Sequence, residues 1–417
     1  MTSPDCRSKK WVICRERLSN ATASPSQSIS KGAEGINRYH KEFGGFVKKI
    51  ATFDDWIDAF REWQKSIGLH LPKYSDYQFE AKYGDLKTEE IEFGDFKGNR
   101  KWERVTQIPH QPIRDSLLNL IVYQGDTEFA SVEQQRNLLE TSPSDYDTDS
   151  VCRIMVEEMR HGWQMCHLLV THFGETGKIE ARKLLERRSF DNNRLLGSFN
   201  VDVDNWVDFF TYTEFVDRDG KFQLNMLSTS GFAPLARSMG PMLKEEGFHL
   251  GTGHMGLQRI AKAGRVPTPL LQKYINKWLS TAYDLFGKDH SSSAEWFYVW
   301  GLKGRYDEHR HAGDPDREHL NELSREMYKQ EVDKLIDQIN IQLPADSPKI
   351  VAPDMKYHRG IGEFAGKTYS VTGEVLTPAE YEKHLAETLP NPKEQQFIAA
   401  LMPQPGWIAP RESLTSS

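Results

Sequence analysis

The chain has 417 residues, of which 38% are hydrophobic and 27% charged, with a formal net charge of −7. This acidic balance argues against a nucleic-acid binder that neutralises phosphates, and no run of about 18 apolar residues predicts a membrane span. Four cysteines without a CxxC pair, and an N-terminus without the apolar stretch of a secretory signal, predict a reduced, cytoplasmic protein.

In the first third of the chain, the amino-acid composition and the predicted structure change near residue 49. Residues 1–48 are rich in Ser, Lys and Gly, and we expect a partly disordered N-terminal arm. Residues 52–68 predict a packing helix, because three aromatic residues recur there at helical spacing behind a Thr cap. Residues 70–105 predict loops or a small hairpin.

The middle of the chain predicts four long helices and a short basic one. The long helices cover about 111–140, 148–173, 203–229 and 233–262, and the basic helix covers 177–190. Their length and order predict a mainly α protein built on a four-helix bundle. We expect the helical domain at 49–300.

The C-terminal part predicts fewer and shorter elements. A helix follows Pro267 and Pro269, and another covers 315–341. A strand-like region rich in Pro and Gly and one more short helix complete the chain. We expect 301–417 to form an irregular extension packed on the bundle.

Two of the long helices carry the same short motif. Glu158 and His161 are three residues apart, and Glu246 and His249 repeat that spacing. Side chains at i and i+3 project from one face of a helix, so a carboxylate and an imidazole can converge on one metal ion. Chance gives about one such spacing in a chain of this composition, so the motif needs further support.

That support comes from the helix before each motif. Glu128 stands 30 residues before Glu158, and Asp217 stands 29 residues before Glu246. Two antiparallel helices with a short turn place residues at this separation side by side. Each half therefore supplies one carboxylate and then E-x-x-H. Six ligands of this kind predict a site for two divalent metals, with iron or manganese favoured over zinc.

Other acidic residues compete for parts of this assignment. Glu214 lies one turn before Asp217 and is the alternative ligand from the third long helix, and Asp219 is a further candidate. Glu157 and Glu245 neighbour the motifs but lack a histidine three residues on, and they predict surface or supporting groups. A third E-x-x-H, Glu308 to His311, lies in a Gly/Asp/Pro-rich stretch and is interpreted as coincidence.

Several stretches together resemble one family of oxygenases. The sequence is similar to the oxygenase components of the benzoyl-CoA 2,3-epoxidases, which group with phenylacetyl-CoA epoxidases and bacterial multicomponent di-iron monooxygenases. The resemblance covers about residues 50–370. It rests on QGDTEFASVEQQR (124–136), VEEMRH (156–161), VDRDGKFQL (216–224), PLARSMGPMLKEEGFH (234–249) and GLKGRY (301–306).

The resemblance implies a ferritin-like fold, a di-iron centre and an aryl-CoA substrate. Its ligand order, Glu, E-x-x-H, Asp, E-x-x-H, implies that the iron ligands are Glu128, Glu158, His161, Asp217, Glu246 and His249. The aspartate on the third helix favours the benzoyl-CoA branch. The implied reaction uses O₂ as co-substrate and adds one oxygen atom across a ring double bond, giving a 2,3-epoxide.

The implied reaction needs two electrons from another protein. The chain has no Gly-rich dinucleotide fingerprint and no iron–sulfur cysteine pattern. The resemblance implies an NADPH-dependent reductase that carries FAD and an iron–sulfur cluster. We expect no nucleic-acid partner and no membrane, and a monomer or small homo-oligomer.

Residues beside the ligands are candidates for substrate contacts and catalysis. Gln124 lies one turn before Glu128 and is a candidate for hydrogen bonding oxygen species near the metals. Aromatic side chains that flank ligands are equally compatible with a substrate pocket and with bundle core. These are Phe129, Trp163, Phe210 and Phe215. The phosphates of coenzyme A need cations, for which the candidates are Arg187, Arg188, Lys303 and Arg305, although charged faces are usually only solvated.

Three other classes of protein fit parts of the pattern. Another ferritin-like di-iron oxidase, such as an acyl desaturase or N-oxygenase, would share the site and differ in its cavity. An iron-storage protein would consume O₂ with Fe²⁺ alone. A structural subunit of an oxygenase complex would keep the fold without the metal, but all six ligands are present here.

Overall fold

The computed structural model describes residues 52–69, 71, 79–310, 313 and 315–414. The predicted N-terminal arm, 1–48, lies outside these residues. Residues Ile50–Ser417 form one unit, and the predicted domain limits at 48 and 300 stay predictions.

The described residues are mainly helical, which confirms the predicted fold class. The α-helices in chain order are α1 (Phe53–Ser66), α2 (Gln111–Gln135), α3 (Asp145–His172), α4 (Gly174–Glu186), α5 (Trp206–Leu227), α6 (Ala233–Ala263), α7 (Thr268–Leu285), α8 (Ser292–Val299), α9 (Leu320–Ile341), α10 (Pro378–Thr388) and α11 (Pro392–Leu401).

Four of these helices form the bundle. α2 packs on α3, α5 packs on α6, and the two pairs meet where α3 contacts α6. Short connections make the partners in each pair antiparallel, as expected for a ferritin-like bundle. α4 packs on α2 and α3, α7 packs on α5, and α9 packs on α5 and α6.

Local sequence signals fix where the bundle helices begin and end. The Ser144 hydroxyl accepts a hydrogen bond from the backbone N–H of Asp147 and caps α3. The Asn205 side chain caps α5 in the same way through Val207 and Asp208. α6 ends at Gly264, whose φ of 62° is a left-handed conformation that glycine adopts without strain.

Two glycines allow the paired helices to approach closely. A Cβ atom at Gly162 of α3 would lie 2.7 Å from the Phe129 ring of α2. A Cβ atom at Gly253 of α6 would lie 2.5 Å from the backbone nitrogen of Glu214 in α5. Both contacts lie beside the predicted ligands, so these glycines set the helix spacing at the site.

The irregular regions differ from the sequence-based expectation. The described residues of 70–105 form loops, one of the two predicted alternatives, and not the hairpin, while the strand-like region after α9 forms no strand among the described residues. Only isolated bridges occur among the described residues of these regions, Glu90 with Arg100, Trp102 with Phe232 and Tyr369 with Val375. The first predicted bundle helix ends at Gln135 and continues as a 3₁₀ turn, Arg136–Thr141. No helix within the described ranges has the length and hydropathy to cross a bilayer.

Candidate metal centre

Side chains from all four bundle helices meet between α3 and α6. Glu128, Glu158 and His161 form one group, and Glu158, Asp217 and His249 form a second. Within each group the possible ligand atoms lie within 4.8 Å of one another. Glu158 is common to both groups, so two metal positions would share this carboxylate.

Glu158 and Glu246 each face both imidazoles. The His161 Nδ1 atom lies 3.9 Å from Glu158 Oε2 and 3.7 Å from Glu246 Oε1. The His249 Nδ1 atom lies 3.4 Å from Glu158 Oε1 and 3.5 Å from Glu246 Oε2. Each carboxylate therefore directs one oxygen to each histidine, which is the arrangement of a bridging ligand.

The other two carboxylates are each grouped with only one of the two histidines. Glu128 Oε2 lies 3.4 Å from the Nδ1 atom of His161, while Asp217 groups with His249. The structure thus brings together all six residues singled out as metal ligands, and each is at most 7% exposed.

The outer nitrogen of each imidazole is held by the opposite half of the bundle. His161 Nε2 donates to Glu245 at 2.8 Å, and His249 Nε2 donates to Glu157 at 3.0 Å. A carboxylate can only accept, so Nε2 carries a proton and Nδ1 is the ring nitrogen that faces the centre. A carboxylate behind a metal-binding histidine fixes its ring orientation and raises its basicity.

Several inward-facing atoms have no hydrogen-bond partner among the described residues. These atoms are Nδ1 of His161, Nδ1 of His249, Oδ2 of Asp217 and Oε2 of Glu246, and all are buried. A buried polar atom without a partner is costly, and coordination to metal would satisfy these four. Four carboxylates also balance the charge of two divalent cations. The residues therefore fit a two-metal site.

The crowding of acids shifts their protonation. Burial, together with the charge of Glu128, raises the pKa of Glu158 well above its ordinary value. Burial and the charge of Glu246 do the same to the pKa of Asp217. Burial also opposes ionisation of Glu128, but the imidazole of His161, whose Nδ1 lies 3.4 Å away, holds the pKa of Glu128 below its ordinary value.

The two candidate ligands of α5 have different surroundings. Glu214 accepts from Arg218 at 3.0 Å and contacts His254 Nδ1 at 3.0 Å. Asp217 retains the unpartnered oxygen described above and belongs to a metal-binding group. This contrast favours Asp217 as the ligand.

Gln124 contacts the first ligand directly. Its side-chain amide donates to Glu128 Oε1 at 2.6 Å. In this position Gln124 orients the carboxylate, and a contact with oxygen species stays a prediction.

The four aromatic candidates pack as core residues. Phe129 contacts Trp63 with ring centroids 5.1 Å apart, and Trp163 contacts Trp56 at 6.3 Å, so both belong to a cluster under α1. Phe210 packs on Trp206 at 5.4 Å. Phe215 is fully buried. Their predicted role in a substrate pocket has no separate support from these contacts.

The cationic candidates form two pairs in different places. Arg187 contacts Asp126 at 3.3 Å, and Arg188 donates to the carbonyl of Leu185 at 2.6 Å. Both arginines therefore stabilise the C-terminal end of α4. Lys303 and Arg305 line one cavity of about 150 Å³. Binding of coenzyme A phosphates by these four residues stays a prediction.

The third E-x-x-H differs from the other two. The Glu308 carboxylate accepts from the backbone N–H of Arg305 at 3.0 Å and from the hydroxyl of Tyr298 at 3.2 Å. His311 lies outside the described residues.

Tyr212 is not among the site residues that the sequence predicts. Its hydroxyl is buried without a hydrogen-bond partner. Burial raises the pKa of Tyr212 well above its ordinary value, and the charges of Asp217 and Glu158 add to the shift. Those charges place the phenol near the metal-binding groups. No motif marks this residue in the sequence.

Comparisons with known proteins agree with the geometry. The family described as "Phenylacetic acid catabolic protein" matches residues 103–359, which include every predicted ligand. The chain is also similar to the "Benzoyl-CoA oxygenase component B" of Aromatoleum evansii. The two are 37% identical over 373 residues, covering 76% of this chain and 78% of the relative.

Proposed function

The chain belongs to the phenylacetic acid catabolic protein family, and from this premise we propose that it is the oxygenase component of an aryl-CoA monooxygenase. The proposed substrate is benzoyl-CoA or a close analogue, and the proposed product is its 2,3-epoxide. The relative named as a benzoyl-CoA oxygenase component supports this substrate class.

One observation carries the proposal. Two histidine–carboxylate groups share Glu158, and their buried inward atoms have no other partner. A carboxylate-rich two-metal site inside a four-helix bundle is typical of di-iron proteins. We therefore propose two iron ions as the resident cofactor, with Glu128 and His161 on one side and Asp217 and His249 on the other.

The protein's residues would hold and orient this centre. When bound, the iron ions supply the activation of O₂, of which one atom enters the ring and the other leaves as water. Glu158 and Glu246, which face both histidines, would help to hold the ions, and Gln124 would hold Glu128 in place through its 2.6 Å hydrogen bond. Burial of the ligands excludes bulk water from the site.

A second protein would supply the electrons. The word "component" in the name of the relative supports a multi-protein system, and the chain has no dinucleotide fingerprint or iron–sulfur cysteine pattern of its own. We propose an NADPH-dependent reductase with FAD and an iron–sulfur cluster as the partner. The cysteine usage supports a cytoplasmic location.

The test is coupled O₂ consumption by iron-loaded protein with benzoyl-CoA, NADPH and the reductase. We expect about two irons per chain and an oxygenated thioester formed in proportion to the O₂ consumed. O₂ consumption with Fe²⁺ alone would favour iron storage, and a dehydrogenated acyl chain or an oxidised amine would favour another di-iron oxidase. Folded protein that neither binds iron nor consumes O₂ would indicate a structural subunit.

A further inference from the structure

The two imidazoles of the metal centre both lead to one cavity at the side of the bundle. His161 is bonded to Glu245, and His249 is bonded to Glu157. Both carboxylates line a cavity of about 330 Å³ between α3, α6 and the segment before α2. We propose that the face around this cavity is where the electron-donating protein docks. This inference rests on the proposed function.

The route from the centre to this face is short and fully bonded. On each side it consists of one imidazole ring, one hydrogen bond of 2.8 or 3.0 Å, and one carboxylate. The side chains of Glu245 and Glu157 are 15% and 14% exposed. A donor seated on the cavity is therefore separated from each metal position by two side chains, and electron transfer falls steeply with such separation.

The same residues close this face to the substrate. Both imidazole rings are fully buried. Each ring directs Nε2 to a carboxylate that lines the cavity and Nδ1 to the metal positions. An acyl-CoA in the cavity would meet the hydrogen-bonded carboxylates and rings and would not reach the metal positions. Electrons can cross this barrier because no atom has to move through it. The face therefore fits a donor protein and does not fit the thioester.

The charges of the face indicate the chemistry of the donor. Lys82 and Arg153 have side chains 42% and 46% exposed, whereas the carboxylates that they pair with, Glu245 and Glu157, point inward. Glu80 is an exposed acidic residue in the lining.

Behind these groups lies a further cation. Arg160 is 5% exposed and pairs with Glu245, but its Nε and one terminal nitrogen have no hydrogen-bond partner. The lining also contains the apolar side chains of Phe79 and Val156. The exposed charges of the face are two cations, Lys82 and Arg153, against one acid, Glu80. With its apolar centre, this face is complementary to an acidic, partly apolar donor surface.

Electron balance is simple in this step. Two electrons leave the reduced flavin/iron–sulfur donor and convert two ferric ions to two ferrous ions, and no atom is transferred. The docking face only has to bring the donor's last redox group close to Glu245 and Glu157. The proposal predicts that a bulky group at the cavity slows reduction by the protein donor and leaves reduction by a small reductant unchanged.

The experiment places such a group by thiol chemistry. Glu80→Cys introduces a thiol at the exposed edge of the cavity, and Glu382→Cys introduces one on the exposed face of α10 as the matched control. Cys6 and Cys14 are replaced by Ser in both proteins, while Cys152 and Cys166 are buried and can stay. Both variants are labelled with a bulky maleimide and loaded with iron.

Reduction is then followed by stopped-flow absorbance in single turnover, once with the NADPH-dependent reductase that sustains unmodified turnover and once with excess dithionite. We expect label at Glu80→Cys to slow reduction by the reductase at least tenfold and to change the dithionite rate less than twofold. Label at Glu382→Cys should change neither rate.

Each other result has a distinct meaning. An unchanged reductase rate with label at Glu80→Cys overturns the docking face. An unchanged reductase rate with a raised KM for benzoyl-CoA also overturns it and assigns the cavity to the substrate. Failure of the proposed function would appear separately, because unlabelled iron-loaded protein reduced by dithionite would then not oxygenate benzoyl-CoA on exposure to O₂.

Discussion

His161 of α3 donates its outer N–H to Glu245 of α6 at 2.8 Å, so the helix opposite holds the imidazole in orientation. The relationship is reciprocal, since His249 of α6 donates to Glu157 of α3 at 3.0 Å. Each E-E-x-x-H segment therefore provides a ligand pair for the centre and a supporting carboxylate for the other segment. The two halves of the site depend on each other through these two hydrogen bonds.

Removal of a supporting carboxylate should weaken metal binding without removing a ligand. For Glu245→Ala we expect about 10- to 100-fold lower Fe²⁺ affinity, because His161 loses the group that orients it. Glu245→Gln should lose less, since its amide oxygen can still accept the N–H. Competition with a chromophoric chelator measures the affinity, with the exposed Glu382→Ala on α10 as control. Equal affinity for Glu245→Ala and the control would remove Glu245 from any role at the centre.

Loss of a ligand should abolish oxygenation and leave the fold intact. His161→Ala and Glu246→Ala each remove inward-facing atoms that have no hydrogen-bond partner in the part of the chain that the structure describes. We expect no product from benzoyl-CoA, fewer than two irons per chain and nearly unchanged helical content by circular dichroism. Full activity in either variant would show that the ligand assignment is wrong.

The two acids of α5 should separate metal binding from stability. Asp217→Ala should lose iron but leave the metal-free protein at least as stable, because a buried, crowded acid is removed. Glu214→Ala should retain more iron, yet destabilise the metal-free protein by about 1–3 kcal/mol, because Arg218 loses one of its two carboxylate partners and keeps Glu331. Iron content measures metal binding by each variant, and urea unfolding measures the stability of each metal-free variant. The reverse pattern would exchange the roles of the two residues.

The sequence predicted the bundle and the ligand positions because both depend on spacing along single helices. An i, i+3 pair and a separation near 30 residues follow from helix geometry alone. The direction of Glu157 and Glu245 depends on how α3 and α6 face each other, which no single helix encodes. The doublet E-E in both motifs was the available signal, and it was interpreted only as surface or supporting groups.

The errors lie where tertiary contacts decide local structure. The segments 70–105 and 342–377 contain β-like residue patterns, but a strand needs a partner along its length, and the described residues of these segments form only isolated bridges. The aromatic candidates show a related limit. Phe129 follows the ligand Glu128, but its ring packs against Gly162 and Trp63, a direction that the spacing along α2 could not reveal.

Helix spacing at the site should respond to a single methyl group. In Gly162→Ala the new Cβ would lie 2.7 Å from the Phe129 ring, which is buried and enclosed by other aromatic rings. We expect a loss of about 1–3 kcal/mol in the free energy of unfolding and lower iron occupancy. Gly220→Ala is the control, because a Cβ at this helical position meets nothing within 4 Å. Unfolding by urea measures both, and equal stability would contradict close packing of α2 on α3.

Removal of the metal should change how stability depends on pH. In the metal-free protein, burial and neighbouring charge raise the pKa of Glu158 and Asp217. Burial alone would lower the pKa of His249, but the charge of Glu246 and the hydrogen bond to Glu157 raise it well above its ordinary value. At these three groups the folded state thus binds more protons than the unfolded chain, so their contribution to stability falls as pH rises. Burial lowers the pKa of Lys303 to about 8, which opposes this fall only toward the alkaline end of the range.

We therefore expect the melting temperature of metal-free protein to decrease from pH 6 to pH 9. Across the same range, Fe²⁺ binding should strengthen and release protons into a weakly buffered solution, because the ligands bind metal in their deprotonated form. Scanning calorimetry and an indicator dye measure the two effects under anaerobic conditions. Glu158→Gln, which cannot release that proton, should show a smaller decrease and weaker binding. A melting temperature of metal-free protein that rises over this range would contradict the arrangement of protonated acids and histidines derived from the structure.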